Sequence, residues 1–199
     1  MPNWVYNQIA IKGKKQDVIN FLNDGLKGLG KGKEISANLC ADEIVNHLNS
    51  INNANKKRKK GKRYLTLRSW LPIPQTFLKW DTTNSKYDFT AWKAFVSGKS
   101  WSKPSQSTIN KCKKMSEDEL KVAYEKYSNG YDKAVIFQKE KYGVVGWYDY
   151  NILTLGTKWN SEFDDYSKIE LTNEDEIAIL MKCETAWNLP HNWLFSIQE

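Results

Sequence analysis

Seven of the eight residues from Lys56 to Arg63 are cationic, and no fold can bury such a run. Like charges at this density repel one another, so the segment is expected to be a solvated loop or the entry to a strand. The preceding Asn52-Asn53-Ala54-Asn55 suits a loop. Of the chain's 30 basic residues, these seven leave 23, which match its 23 acidic ones, so the net charge of +7 belongs to this one place. Such a loop suits phosphates, whose counterions it releases. It also suits an acidic protein surface, and a solvated loop with no dedicated partner remains the plain reading. Tyr64 and Trp70 follow the run and offer rings on which bases can stack. The binding residues expected from the sequence are therefore Lys56, Lys57, Arg58, Lys59, Lys60, Lys62, Arg63 and Tyr64.

A weaker polarity runs through the rest. Residues 160–199 hold nine acids against Lys168 and Lys182, while Lys99, Lys103, Lys111, Lys113 and Lys114 make the middle basic.

Hydrophobic spacing predicts the elements. Residues 3–12 alternate, with Val5, Ile9 and Ile11 on one side and Trp4, Tyr6 and Ala10 on the other, which is a strand. Val18, Leu22 and Leu26 recur at helical spacing over 15–27, and Cys40, Ile44, Leu48 and Ile51 do so over 36–52, with Ser36 as the expected N-cap. Tyr64–Leu71 reads as a strand closed by Pro72 and Pro74. Residues 75–115 read poorly apart from a short helix at Phe89–Val96. Ser116-Glu117-Asp118-Glu119 is a capping box before a long helix, in which Asn129-Gly130 is a potential break. Trp147–Leu155 is a further helix, ended by Gly156. Ile169 and Leu171, a turn at Thr172–Asp175, and Ile177, Ile179, Met181 and Cys183 read as a hairpin. Pro190 suits the first turn of a terminal helix. Four strands and several helices without regular alternation indicate one α+β domain over 1–199, a small mostly antiparallel sheet covered by helices, with an insertion at 75–115.

Enzymatic motifs are scarce. Gly25–Gly32 nearly fits a phosphate-binding loop, but Gly32 stands where a hydroxyl would hold magnesium, and the segment follows a helix rather than a strand. The two histidines, His47 and His191, read as surface residues. Asp164-Asp165 and Glu174-Asp175-Glu176 are adjacent in sequence, which suits turns better than convergent metal ligands. Cys40, Cys112 and Cys183 are odd in number and scattered, arguing against a disulfide framework or zinc cage and for a reducing cytoplasm. No apolar run is long enough to span a bilayer, and the opening residues lack the pattern of a signal peptide. No cofactor or metal is expected. Gly156-Thr157-Lys158-Trp159-Asn160 and Thr185-Ala186-Trp187 each set a small hydroxylated residue near a Trp, as a capped element with an indole plugging the core edge or as a ligand pocket.

Four segments stand in a familiar order: Met1-Pro-Asn-Trp4-Val-Tyr-Asn7 with Ile9–Gly13, Leu71-Pro-Ile-Pro74, Gly156–Asn160 after Trp147-Tyr-Asp-Tyr150, and Thr185-Ala-Trp187. Together they resemble the YubB-type ferredoxin-like domain proteins of phages and plasmids. The resemblance implies a mobile-element origin and a ferredoxin-like-related sheet. With the enzyme-poor sequence and the cationic run, the expectation is a non-enzymatic accessory protein acting in the host cytoplasm on a nucleoprotein or defence complex, an anti-CRISPR role being its sharpest form. Direct DNA or RNA binding and, last, a metal-dependent nuclease are the alternatives.

Overall fold

The protein is seen in a computed structural model that describes residues 3–29, 33–56, 64–80, 82–100, 104–173 and 175–197. In chain order the elements are β1 (Trp4–Lys14), α1 (Lys15–Leu26), a 3-10 turn at Lys27–Leu29, α2 (Ala41–Lys56), a 3-10 turn at Leu67–Ser69, α3 (Gln75–Lys79), α4 (Phe89–Val96), α5 (Gln106–Cys112), α6 (Glu117–Tyr142), α7 (Gly146–Leu155), β2 (Phe163–Ile169), β3 (Glu176–Ala186) and α8 (His191–Ser196). They form two compact units: Met1–Ile73 with Asn151–Glu199, and Pro74–Tyr150. The segment expected as an insertion at 75–115 is thus part of a unit that runs on through α6.

The first unit is built on a three-stranded antiparallel sheet in the order β1-β3-β2. β3 pairs with β1 along its whole length, Trp4 opposite Ala186 and Lys14 opposite Glu176. A bulge at Asp164 interrupts the pairing of β2 with β3. The alternation in β1 works as its spacing predicts: Asn7 and Ile9 are buried, while Trp4, Tyr6, Gln8, Ala10 and Lys12 are exposed. Val18, Ile19, Leu22 and Leu26 of α1 and Ile44, Leu48 and Ile51 of α2 pack with Ile9, Phe163, Tyr166, Ile179, Met181 and Trp193 into one core. Burying each such side chain stabilises the fold by roughly 1.5–3 kcal/mol relative to exposure. α2 also serves the sheet chemically, since its Asn49 and Asn52 amides donate to the carbonyls of Tyr166 (3.0 Å) and Phe163 (3.1 Å).

Two expectations need correction here. Helix α2 begins at Ala41 rather than Ser36, and its first turn is closed by Glu43, whose carboxylate accepts from the Cys40 amide at 2.7 Å. The fourth strand, expected over Tyr64–Leu71, shrinks to one bridge between Thr66 and Glu162. Beyond that bridge Ser69 accepts from the Thr66 amide at 3.0 Å and returns its own amide to the Thr66 carbonyl at 2.9 Å, which curls the backbone out of extension. The residues keep their hydrophobic assignment, with Tyr64, Leu65 and Leu67 all buried. Gly25, the first glycine of the near-miss phosphate loop, lies inside α1 and seats the Trp70 indole; a Cβ there would stand 2.5 Å from the ring. Gly30–Gly32 lie outside the described residues.

The second unit is helical. Its long α6 opens with the capping box: Glu119 accepts from the Ser116 amide at 2.7 Å, and Ser116 accepts from the Glu119 amide at 3.3 Å. The helix passes through Asn129-Gly130 without a break. Trp92, Val96 and Leu120 form a small core with Tyr87, Phe89, Phe95, Tyr124 and Tyr127 around it. Gln138 is fully buried and fully used: it accepts from Thr82 (2.5 Å) and the Gly146 amide (3.0 Å) and donates to the Thr76 carbonyl (3.2 Å).

Candidate aromatic site at the rim of the sheet

Three of the segments singled out in the sequence, the opening of β1, Gly156–Asn160 and Thr185–Trp187, meet in space. Asn7, on the inner face of β1, sends its amide to the Thr185 hydroxyl at 2.8 Å, to the Val5 carbonyl at 2.9 Å and to the Cys183 carbonyl at 3.4 Å. Thr185 passes its own proton to the Asn188 carbonyl at 2.6 Å. Thr157, beyond α7, donates to the Ala186 carbonyl at 2.9 Å. Asn151 in α7 donates to the Lys158 carbonyl at 2.9 Å, and Arg68 clamps Asn151 (2.5 Å) and Thr154 (3.0 Å) from the other side. These side chains are tied to one another and to backbone, although the buried Asn7 Oδ1 accepts no hydrogen bond among the described residues.

Above the network stand the aromatic rings. Trp4 and Trp159 lie 5.6 Å apart at 45°. The Lys158 ammonium sits 5.1 Å from the Trp159 ring centre and 4.7 Å from that of Trp187. Each cation–π contact at such a surface is worth about 0.5–1 kcal/mol. Trp4 is 50% exposed, Trp187 46% and Tyr6 79%. Trp187 has φ 76°, the left-handed region that a bulky side chain enters at a cost of roughly 1–2 kcal/mol. Its amide is held there by the Asn3 carbonyl at 2.8 Å. Such a conformation persists only where the surrounding structure enforces it.

Tyr6 is paired in register with Glu184, and both belong to the exposed side of the sheet. A depression of about 300 Å³ runs from Tyr6 and Gln8 to Lys182, Glu184 and the bulged Asp164. Lys182 is engaged by Asp165 at 2.7 Å. Glu184 and Asp164 pair with no cation among the described residues, so this part of the face is anionic. Burial pushes the thiol of Cys183, beneath it, up to about 12, with the Asp164 charge adding to the effect. Nothing in this arrangement supplies a nucleophile with a base beside it, and no group of three or more His, Cys, Asp or Glu suited to a metal ion occurs among the described residues.

The residues expected from sequence to bind fare differently. Lys57–Arg63 and the Lys56 side chain lie outside the described residues. Tyr64 is 6% exposed, so its ring fills the core instead of offering a stacking face. Trp70 likewise stacks on Phe21 at 4.8 Å and donates its indole N–H to the Phe21 carbonyl at 2.7 Å. The segments 156–160 and 185–187 read foremost as capped ends plugging the core; their threonines donate instead to the carbonyls of Ala186 and Asn188, and the Trp187 indole is turned outward. Trp4, Tyr6, Trp187 and Glu184 are absent from the sequence-based list. The signal for them was the strand alternation, which separates Trp4 and Tyr6 from the core side without saying whether the other side is covered.

No protein-family model, curated protein or solved structure matches this chain. The fold is α+β with a small antiparallel sheet, and no helix among the described residues is long and apolar enough to cross a membrane.

Proposed function

We propose that this is a non-enzymatic binding protein that docks, through the exposed face of its sheet, onto a basic surface of a host nucleic-acid-handling complex. The observation that carries this reading is the combination of solvent-facing rings, Trp4 and Tyr6 on the exposed face and Trp187 just beyond β3, with the carboxylates of Glu184 and Asp164, which pair with no cation among the described residues. Trp and Tyr are the usual anchors of protein interfaces, because each buries a large area at small entropic cost. Carboxylates around them steer the face toward cations and away from phosphates. A groove that normally holds nucleic acid has the matching charge, so the sheet would occupy it as a nucleic-acid mimic.

A mobile-element origin, host-cytoplasmic action and an anti-defence role, anti-CRISPR in its sharpest form, belong to the same proposal and rest on the sequence resemblance. The order β1-β3-β2, with helices between β1 and β2, supports the ferredoxin-like relationship to the extent of its βαββ half.

The test uses three baits in a pull-down from the natural host: the wild type, Tyr6→Ala with Glu184→Lys, and a variant with Lys56–Arg63 replaced by Ser. The proposal expects the partner complex to be lost from the second bait and kept by the third. Loss from the third and retention by the second would transfer the function to the cationic run and to direct phosphate contact.

A further inference from the structure

Trp80 occupies an unusual position in the helical unit. It follows α3 and meets α6 where Gly130 has no side chain; a Cβ there would stand 2.4 Å from the far edge of the indole. Trp80 and Tyr127, ring centres 6.3 Å apart, line two neighbouring hollows together with Lys79. The first, about 330 Å³, is walled by these two rings and by Tyr87 and Phe95, and edged by Asn84 and Ser85. The second, about 670 Å³ and shallower, adds Lys126 and Lys133 with Glu125.

The lining selects its ligand. Lys79 stands at the edge of the first hollow, and its ammonium opposes an organic cation there. An aliphatic guest would strip water from Asn84, Ser85 and Lys79 without replacing their hydrogen bonds. Flat rings, neutral polar groups and one ammonium suit a planar heteroaromatic that carries negative charge. We infer that the helical unit binds a nucleotide, its base against Trp80 and Tyr127 and its phosphate toward Lys79. The volume is at the lower end for small-molecule pockets, enough for one base with its sugar. Lys126 and Lys133 in the second hollow then face any phosphate that continues the chain. This site is separate from the sheet face and does not depend on the docking proposed there.

Calorimetric titration of the full chain at low salt, with the four nucleoside 5′-monophosphates, the four nucleosides and a short oligothymidine, tests the assignment. Saturable binding of at least one monophosphate is expected, weakened about tenfold or more by Trp80→Ala, as loss of a base-stacking ring requires. Lys79→Ala should remove the preference for nucleotide over nucleoside and leave nucleoside binding unchanged. Tighter binding of oligothymidine that is relaxed by Lys126→Ala and Lys133→Ala identifies the ligand as a residue of a single strand; equal affinity identifies a free nucleotide. Tyr6→Ala should change none of these, which keeps the two sites' fates apart. Absence of saturable binding to every probe overturns the inference, and so does wild-type affinity in both Trp80→Ala and Lys79→Ala. If Trp80→Ala does not fold, Lys79→Ala and Asn84→Ala decide.

Discussion

The Lys158 ammonium sits 4.7 Å from the centre of the Trp187 ring, and Trp187 meets it from a backbone φ of 76°. The ring contact and the strained backbone can be separated by substitution. Trp187→Ala and Trp187→Gly both remove the ring, but only alanine keeps the Cβ that the left-handed region opposes. The glycine variant should therefore be the more stable of the two by about 1 kcal/mol in urea unfolding. Equal stability would mean that φ 76° is not held in solution.

Thr185 links the two chain segments that frame the site. Its hydroxyl accepts from Asn7 at 2.8 Å and donates to Asn188 at 2.6 Å, with no exposure of its own. Thr185→Val keeps the shape and deletes both bonds. A loss of roughly 1–3 kcal/mol is expected, measured by the urea midpoint, with the Asn7 amide keeping only its Val5 and Cys183 acceptors. Thr185→Ser should retain most of the stability; a serine variant as weak as the valine one would assign the role to packing.

Gln138 plays the same part in the helical unit, joining Thr76, Thr82 and Gly146 through one side chain. Gln138→Leu gains apolar burial but strands the Gly146 amide and the Thr82 hydroxyl. The stranded groups should dominate, lowering stability by about 2 kcal/mol or more. An unchanged thermal midpoint would contradict the buried network.

The three cysteines differ in exposure: Cys40 is exposed, Cys112 half-buried and Cys183 buried. Burial raises the Cys183 thiol to about 12, so it remains protonated where an unfolded thiol, near 8.5, is already ionising. Because the folded value is the higher one, stability is whole below the unfolded value and declines as pH rises from there toward 12. At neutral pH a thiol reagent should modify Cys40 first and reach Cys183 only after denaturation. Labelling of Cys183 at the rate of Cys40 would show that β3 opens readily.

Much of the sheet unit was legible in the sequence because its signals are local and periodic. The alternation of β1 and the stripes of α1 and α2 all act within a few residues, as does the Ser116 capping box in the helical unit. Tyr64–Leu71 misled because its alternation reports burial correctly, while Ser69 and Thr66 decide the backbone through a hydrogen bond that alternation does not register. Asn129-Gly130 misled for a different reason. Glycine weakens a helix by under about 1 kcal/mol relative to alanine, and here it is repaid by the Trp80 ring lying in its place. The rim site was legible only in pieces: the segments 156–160 and 185–187 stand out in the sequence, but Trp4, Trp159 and Trp187 are brought together by a register, Trp4 opposite Ala186, that no single segment encodes. The cationic run was the loudest signal, and Lys57–Arg63 lie outside the described residues.

The proposed docking face is tested most directly by hydroxyl-radical footprinting of the host complex with and without this protein, read on the protein's own rings. Trp4, Tyr6 and Trp187 should lose most of their oxidation on binding, while Phe137 on α6, also exposed, should not change. Unchanged oxidation of Trp4, Tyr6 and Trp187 in the bound state would contradict the proposal that the sheet is the surface of contact.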